Sequence, residues 1–423
     1  MRRSPFGSRP SPAERLSRDA ALVCAAGSLR AASVSLAGVL IAIHFAGRGF
    51  STSAVGAIIG VGMTANAVGT IMAGLYADAW GRRRTLVALG LLTGAGYIAI
   101  AWFDSLVVLL IVAAVAMLNG MGRDRGPASA IEQALLPSTT SDVQRTWTMA
   151  WYNAAIDVGH AVGAGAAILP TVLTRRLHVA DAHAITFALC GAVLCGSVIP
   201  YVFLGSRVEQ FAEPGRGVAP RPVDERTRRI VYRLTALFGL DSTGGGFLSS
   251  ALVAYWFFER YGMSEAELAG LFFAARVLNV CSHLAAAWLA RRIGLVNTMV
   301  FTHLPSSVFL MLAPAAATPG LAAALFLARE ALVEMDVPTR QSYVMAVVPS
   351  SARTYASGLT NVARNAGWAV GPLLGGAMMQ HVALAAPLLI GGSLKIAYDL
   401  VLYRSFRNLR PPEEQSPARS ALR

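Results

Sequence analysis

Acids and arginines lie deep inside apolar stretches of this chain. An unpaired charge there is costly, so each marks either an ion pair or a water-filled path. Arg30 stands about eleven residues beyond Asp19, roughly 16 Å along a helix at ~1.5 Å per residue. Arg123-Asp124-Arg125-Gly126-Pro127 sets two guanidiniums around a carboxylate and then loosens the helix, because proline frees a backbone carbonyl. Glu132, Asp157, Asp241, Arg276, Arg329, Glu330, Glu334, Asp336, Arg340 and Arg364 lie in similar surroundings. Two kinds of chemistry fit these residues. Acids and arginines can neutralise one another as structural pairs: Arg30 with Asp124 or Asp157, and Arg364 with Glu334 or Asp336, are the economical choices. Alternatively, a carboxylate can alternate between a protonated and an arginine-paired state, which couples proton movement to a change of shape. Asp241 and Asp336 lead as proton-coupling candidates, with Asp157 and Glu334 beside them. Asp241 precedes Thr243-Gly244-Gly245-Gly246 and Asp336 precedes Val337-Pro338, so each sits near a bend. Arg30, Arg125, Asp124 and Arg364 are candidate substrate ligands, since arginine suits an anionic group. Successive helical residues point about 100° apart, so Arg123, Asp124 and Arg125 cannot all face one cavity.

Other chemistry is absent from the sequence. It holds no HExxH, phosphate-binding loop, dinucleotide fingerprint or nucleophile elbow, so neither an enzyme nor a metal or cofactor site is expected. His44, His160, His283 and His303 are scattered. Cys24, Cys190, Cys195 and Cys281 all lie in apolar segments and read as buried small hydrophobes rather than a disulfide framework. Trp147, Trp151 and Tyr152 read as an interfacial aromatic belt, or else as a substrate-side patch.

The elements that position these groups are membrane spans. The chain is 55% hydrophobic and only 14% charged, against about 25% charged in soluble domains. Mean hydropathy is +0.53. The net charge of +13 lies in short loops rather than in one patch, which argues against nucleic-acid binding. Residues 1–19 read as a basic tail. The apolar stretch 20–46 is too long for a signal peptide and reads as an uncleaved first span. Further spans are expected near 53–76, 84–102, 106–136, 146–172 and 183–204. A proline- and arginine-rich linker covers 206–231. Spans near 232–258, 265–290, 296–314, 319–347, 354–380 and 383–405 follow, and 406–423 reads as a second tail. This divides the chain into a bundle at 20–205 and another at 232–405. Basic residues number about 24 on the even loops and ends but about four on the odd loops, which places both termini and the linker in the cytoplasm. Arginine almost replaces lysine, Lys395 being the sole lysine, and alanine is abundant; both suggest a GC-rich bacterial genome.

The spans repeat. Arg145, Asn153, Ala155, Gly159, Ala161, Val162 and Gly163 match Arg353, Asn361, Ala363, Gly367, Ala369, Val370 and Gly371 at one constant offset without gaps. Ser51 matches Ser264 and Gly81 matches Gly294 at a second offset. Two homologous halves in one orientation follow.

Between spans 2 and 3 stands Gly74-Leu-Tyr-Ala-Asp78-Ala-Trp-Gly81-Arg82-Arg83-Arg84-Thr-Leu86. Its glycines permit a tight turn, Asp78 is expected to accept backbone N–H groups at a nearby helix start, and the arginines face an anionic leaflet. The stretch resembles the loop between helices 2 and 3 of the major facilitator superfamily of secondary transporters, with the pattern G-x-L-A-D-R/K-x-G-R-R/K-x-x-L. Gly74, Ala77, Asp78, Gly81, Arg82, Arg83 and Leu86 match; Tyr76 and Ala79 depart from it. The resemblance implies an all-α membrane protein of twelve transmembrane helices in two six-helix bundles, alternating access, and a gating role for Gly74, Asp78, Gly81, Arg82 and Arg83. Gly367-x-x-x-Gly371-Pro372 resembles the superfamily's antiporter motif, but it stands in span 11 rather than span 5, where Gly159 and Gly163 lack the proline. Close helix packing through these small residues is the simpler reading. The leading expectation is proton-coupled export of a small organic solute by a monomer in the bacterial inner membrane, with protons and lipids as its other partners. Proton symport or facilitated diffusion of a small, anionic metabolite is the alternative, and a non-transporting receptor or assembly partner of the same fold is a third reading.

Overall fold

Long apolar runs punctuated by serine, aspartate and glycine become helices with defined starts. Ser51 and Ser264 each cap a 29-residue helix, Ser264 in a reciprocal capping box with Glu267. The computed structural model describes residues 16–140, 145–209, 224–349 and 352–409, all helix, turn or irregular chain. Residues 1–15 and 410–423 of the expected tails and 210–223 of the linker lie outside the described residues.

The first half runs through α1 (Arg18–Gly47), α2 (Thr52–Trp80), α3 (Arg82–Ala99), α4 (Leu106–Ala116), α5 (Pro127–Leu135), α6 (Arg145–Ala166), α7 (Leu169–Leu177), α8 (Ala182–Gly196) and α9 (Ile199–Val202). The second runs through α10 (Glu225–Phe247), α11 (Ser250–Tyr261), α12 (Glu265–Ile293), α13 (Leu295–Leu312), α14 (Pro319–Val333), α15 (Asp336–Val347), α16 (Arg353–His381) and α17 (Ala386–Phe406). These form twelve spans in two six-helix bundles, because spans 4, 5, 6, 7 and 10 each comprise two helical pieces. Large apolar side chains such as Leu75, Val107 and Leu284 remain exposed around the outside, as a lipid-facing surface requires.

The repeat is visible in the packing. In the first half α1 packs on α6, and in the second α10 packs on α16. Glycines permit both approaches. A Cβ on Gly367 would lie 2.7 Å from the Thr243 amide nitrogen, Gly371 abuts Gly246 and Phe247, and Gly159 and Gly163 abut the Ser28 and Ala32 carbonyls. The two equivalent interspan turns are made by Gly81 at φ 94° and Gly294 at φ 91°, where a side chain would be strained.

Three breaks matter for function. Span 7 breaks at Leu248–Ser249, just beyond the glycine run, and span 10 at Glu334–Met335, ahead of Pro338. Span 4 is unwound from Met117 to Gly126, a longer interruption than the Gly126-Pro127 pair alone suggests. Met117 (φ 53°) and Gly122 (φ 67°) turn the chain there. Asn119 stabilises the turn by donating to the Arg123 carbonyl (2.8 Å) and accepting from the Met121 amide (2.8 Å).

The halves meet chiefly through α2 with α16, α6 with α12, and α1 with α11. The α2–α16 contact lies far from Gly81. A Cβ on Gly56 would sit 2.7 Å from the Pro372 carbonyl oxygen and 2.8 Å from Gly376 Cα. On the same face Glu265 of the second half bonds Thr171 (2.7 Å) and His183 (2.6 Å) of the first. The molecule is therefore closed on the face opposite the arginine-rich loops.

Two local expectations are corrected. Asp78 is more than half exposed and pairs with Arg82 one turn on, at 2.6 Å. The backbone N–H groups of Arg82 and Arg83 are taken instead by Glu209, at 2.9 and 3.0 Å. Glu209 lies against Gly81, whose missing Cβ leaves room for the carboxylate. Cys281 is exposed, not buried; Cys24 and Cys190 are buried.

Candidate functional site

The unwound part of span 4 offers bare carbonyls at mid-membrane, and the second half fills them. Ala251 N–H donates to the Gly120 carbonyl (3.1 Å), the Ser250 hydroxyl to that of Met121 (2.9 Å), and Arg276 to that of Gly122 (2.8 Å). Irregular backbone at membrane depth is tolerated where protein groups satisfy it in this way. The broken start of α11 and the middle of α12 are thus fastened to the broken middle of span 4. Arg123 extends the fastening, reaching Glu334 (2.6 Å) and Asn279 (2.7 Å) in the second half.

Beside this junction lies a central cavity of about 110 Å³. Arg123, Arg125, Arg276, Arg329, Arg340, Arg364 and Lys395 line it, against Asp241, Glu330, Glu334 and Asp336. Four of the cations have carboxylate partners. Arg123 meets Glu334, Arg329 meets Glu330, Arg340 bridges Asp241 (2.9 Å) and Asp336 (3.0 Å), and Lys395 holds Asp241 at 2.7 Å. Arg125, Arg276 and Arg364 have no carboxylate partner among the described residues. Arg125 and Arg364 come from opposite halves and stack on one indole, with guanidinium carbons 5.1 and 4.8 Å from the Trp368 ring centroid. The Nε atoms of Arg276 and Arg364 are buried without a hydrogen-bond partner. Phe272, Phe326, Leu248 and Val253 supply apolar wall. Three guanidiniums with no carboxylate partner among the described residues, in a partly apolar chamber, have the chemistry to hold an anion.

Arg30 and Asp124, expected as substrate ligands, occupy a separate knot. The Arg30 Nε donates to Asp124 (2.7 Å), and its other nitrogens bind Glu132 and the Tyr201 hydroxyl (2.5 Å). Tyr152 and Tyr201 both donate to Glu132, at 2.9 and 2.5 Å. Glu132 is fully buried and neither Arg30 nor Asp124 lines the cavity. Of the sequence pairings, Arg30–Asp124 is present. Arg364 with Glu334 or Asp336 is not, because those acids are taken by Arg123 and Arg340 and Arg364 turns onto Trp368. Asp241, Asp336 and Glu334 line the cavity; Asp157 is half-buried on α6, with His283, Arg123 and Glu334 as electrostatic neighbours. Tyr152 belongs to the Arg30 knot, whereas Trp147 and Trp151 are exposed and pack edge to face.

Behind Asp241 stands a group that sequence reasoning passed over. Lys395 Nζ lies 3.4 Å from His303 Nε2, and His303 Nδ1 lies 3.0 Å from both Asp399 oxygens. Lys395 and Asp399 are four residues apart, one helical turn, so the only lysine in the chain and an acid share a face of span 12. That spacing was a usable signal.

Known proteins resemble the chain along its length. An uncharacterized membrane protein of Saccharomyces cerevisiae is 24% identical, covering 91% of this chain and 93% of its own. Among solved structures, the nucleoside transporter NupG superposes with a TM-score of 0.69 at 12% identity, over 92% of this chain and 98% of that one. A bacterial homologue of the human lysosomal transporter Spinster, in an inward-facing unoccupied conformation, gives 0.68 at 13% over 97% and 100%. A D-xylose–proton symporter gives 0.66 at 14% over 92% and 97%. The model of the Major Facilitator Superfamily matches residues 23–333, and with that match the chain belongs to the Major Facilitator Superfamily.

Proposed function

We propose that this protein is a proton-coupled secondary transporter of a small organic anion, working by alternating access. One observation carries the reading: Arg125, Arg276 and Arg364 line the chamber between the halves with no carboxylate partner among the described residues. Repulsion among them is relieved when an anion enters, so the site favours anionic over neutral cargo. Arg125 and Arg364 are the principal ligands. Asp241 and Asp336, sharing Arg340, are the coupling carboxylates, with Glu334 and Asp157 nearer the junction between halves. A fold relative is named a D-xylose–proton symporter, which is precedent for proton coupling on this scaffold. The arginine-rich loops support a cytoplasmic side for both termini in a bacterial inner membrane, with the chamber facing inward. The loop Gly74–Leu86 then gates the cytoplasmic side.

Direction has two readings. Export by antiport leans on the glycine pattern of span 11. The contact of Gly367 and Gly371 with α10 supports a packing role for that pattern instead. Electrostatics favours symport, because a proton bound beside a cationic chamber strengthens anion binding.

The test is flux of labelled dicarboxylates, phosphate esters and neutral sugars into proteoliposomes with an imposed pH gradient. Gradient-driven flux of an anion is expected. Transport confined to neutral solutes would overturn the substrate class, and anion flux indifferent to the gradient would overturn coupling.

A further inference from the structure

Three carboxylates and two basic side chains are packed into one buried cluster of the second half. The acids are Asp241 of α10, Asp336 of α15 and Asp399 of α17; the cations are Arg340 of α15 and Lys395 of α17. Each of these side chains is at least nine-tenths buried. Between Asp241, Asp399 and Lys395 stands His303 of α13, 2% exposed at its side chain. Tyr398 of α17 packs edge-on against its ring, 5.9 Å between centroids. The other elements on α13, α12 and α14, send it no ion pair or hydrogen bond among the described residues.

The contacts are met by a neutral ring, an assignment made from heavy-atom distances. His303 Nδ1 faces both oxygens of Asp399 at 3.0 Å and therefore carries a hydrogen. His303 Nε2 lies 3.4 Å from the Lys395 ammonium and 3.7 Å from Asp241 Oδ1. An ammonium has no lone pair, so in the neutral-ring assignment Nε2 is the atom that accepts from Lys395. A proton added to Nε2 would face Asp241 Oδ1, 3.7 Å away. It also faces a second cation at the same short distance, which excludes the present Lys395 position. Lys395 lines the cavity and its stem is flexible, so it has somewhere to go.

We propose that His303 Nε2 is the proton-binding atom of this cluster and that Lys395 is the arm it moves: protonation turns the His303 Nε2–H toward Asp241 and releases Lys395 into the chamber, where it joins the arginines as an anion ligand. His303 binds the proton, Asp399 fixes its tautomer, and Asp241 exchanges one cationic partner for another. Proton and anion then bind cooperatively. The inference rests on the anion-transport reading above, but the switch itself is a property of the apo protein.

Lys395 is the sole lysine, so it can be followed without substrate. The full chain in lipid nanodiscs is treated with a small neutral amine-acylating reagent, and acylation of Lys395 is read by mass spectrometry at about pH 5.5 and about pH 8.5, either side of the ordinary histidine range. Dividing the wild-type rate by that of His303→Gln removes the intrinsic pH dependence of the amine. The ratio is expected to rise several-fold toward acid pH. His303→Arg, a fixed cation, is expected to label several-fold faster than wild type at the alkaline pH. Elution as a monodisperse peak establishes that each variant is folded. A ratio flat with pH, or His303→Arg labelling no faster than wild type, overturns the switch. Failure of anion flux with the labelling switch intact overturns the transport reading and leaves the switch standing.

Discussion

Arg123 and Glu334 meet at 2.6 Å although each belongs to an interrupted span and the two spans belong to opposite halves. The ion pair joins the unwound middle of span 4 to the break of span 10. It is only partly shielded, since the Arg123 side chain is 21% exposed, and both ends have a second partner, Asn279 and His283. Arg123→Gln or Glu334→Gln is expected to cost about 1–3 kcal/mol of thermal stability, less than loss of a fully enclosed pair. A double-mutant cycle in calorimetry or thermofluor should show the two losses to be non-additive; simple additivity would mean the pair contributes nothing of its own.

Arg125 and Arg364 both lie over the Trp368 ring, with no carboxylate partner among the described residues. Replacing either by glutamine should raise the half-saturating anion concentration by about tenfold, equivalent to ~1.4 kcal/mol. The same change should leave stability level or raise it, because like charges are being separated. Unchanged anion affinity in both variants removes them from the substrate site.

Asp241 is held by Lys395 and Arg340, and Asp336, among the described residues, by Arg340. Asp241→Asn leaves two cations with fewer partners and should abolish gradient-driven flux. Asp336→Asn should weaken it, because Arg340 keeps Asp241. Exchange flux without a gradient, measured in the same vesicles, separates lost coupling from lost binding. Gradient-driven accumulation persisting in both variants would dismiss these carboxylates as coupling groups.

Gly56 lies where α2 crosses α16, and even one added carbon would press on the Pro372 carbonyl. Gly56→Leu is expected to cost the closed face about 1–3 kcal/mol and shift the population toward opening there. Paired spin labels across that face should report a longer distance in the variant. An unaltered distance distribution would mean the contact is not what holds the face shut.

At the loop on the other face, Asp78 and Glu209 should behave differently. Asp78 makes one exposed pair with Arg82, so Asp78→Asn should change stability by less than about 0.5 kcal/mol. Glu209 caps α3 through two backbone N–H groups, and Glu209→Gln should cost ~1 kcal/mol. A transport defect in Asp78→Asn at normal stability and membrane level would then belong to the state in which this face is shut. Normal transport in that variant would end the gating assignment.

What could be read in advance follows from what a linear pattern encodes. Span number, the two halves, and the equivalent turns at Gly81 and Gly294 come from apolar run length, offset and glycine placement. The Arg30–Asp124 pair was within reach because both lie at similar depth in neighbouring spans. Partners such as Arg123–Glu334 were not, since depth along a helix says nothing about which way the helix is turned, and span 4 is not helical where its charges lie. Arg364 illustrates the same limit: acids of suitable depth exist, yet its guanidinium is on the Trp368 face. The Asp399–His303–Lys395 group joins residues from two spans, and only its lysine and aspartate are neighbours along one helix.

The carbonyls of Gly120, Met121 and Gly122, fastened by Ala251, Ser250 and Arg276, lie near the middle of span 4. A fastening at mid-depth acts as a fulcrum. With a hydrocarbon core of about 30 Å, each surface is ~15 Å from it, and a rocking of about 20° moves the outer ends by ~5 Å while the fulcrum barely shifts. A rocking that separated Gly56 from Gly376 would then cost almost no hydrogen bonds at the centre. An unwound helix, at first sight the weakest part of the bundle, is in this geometry its bearing.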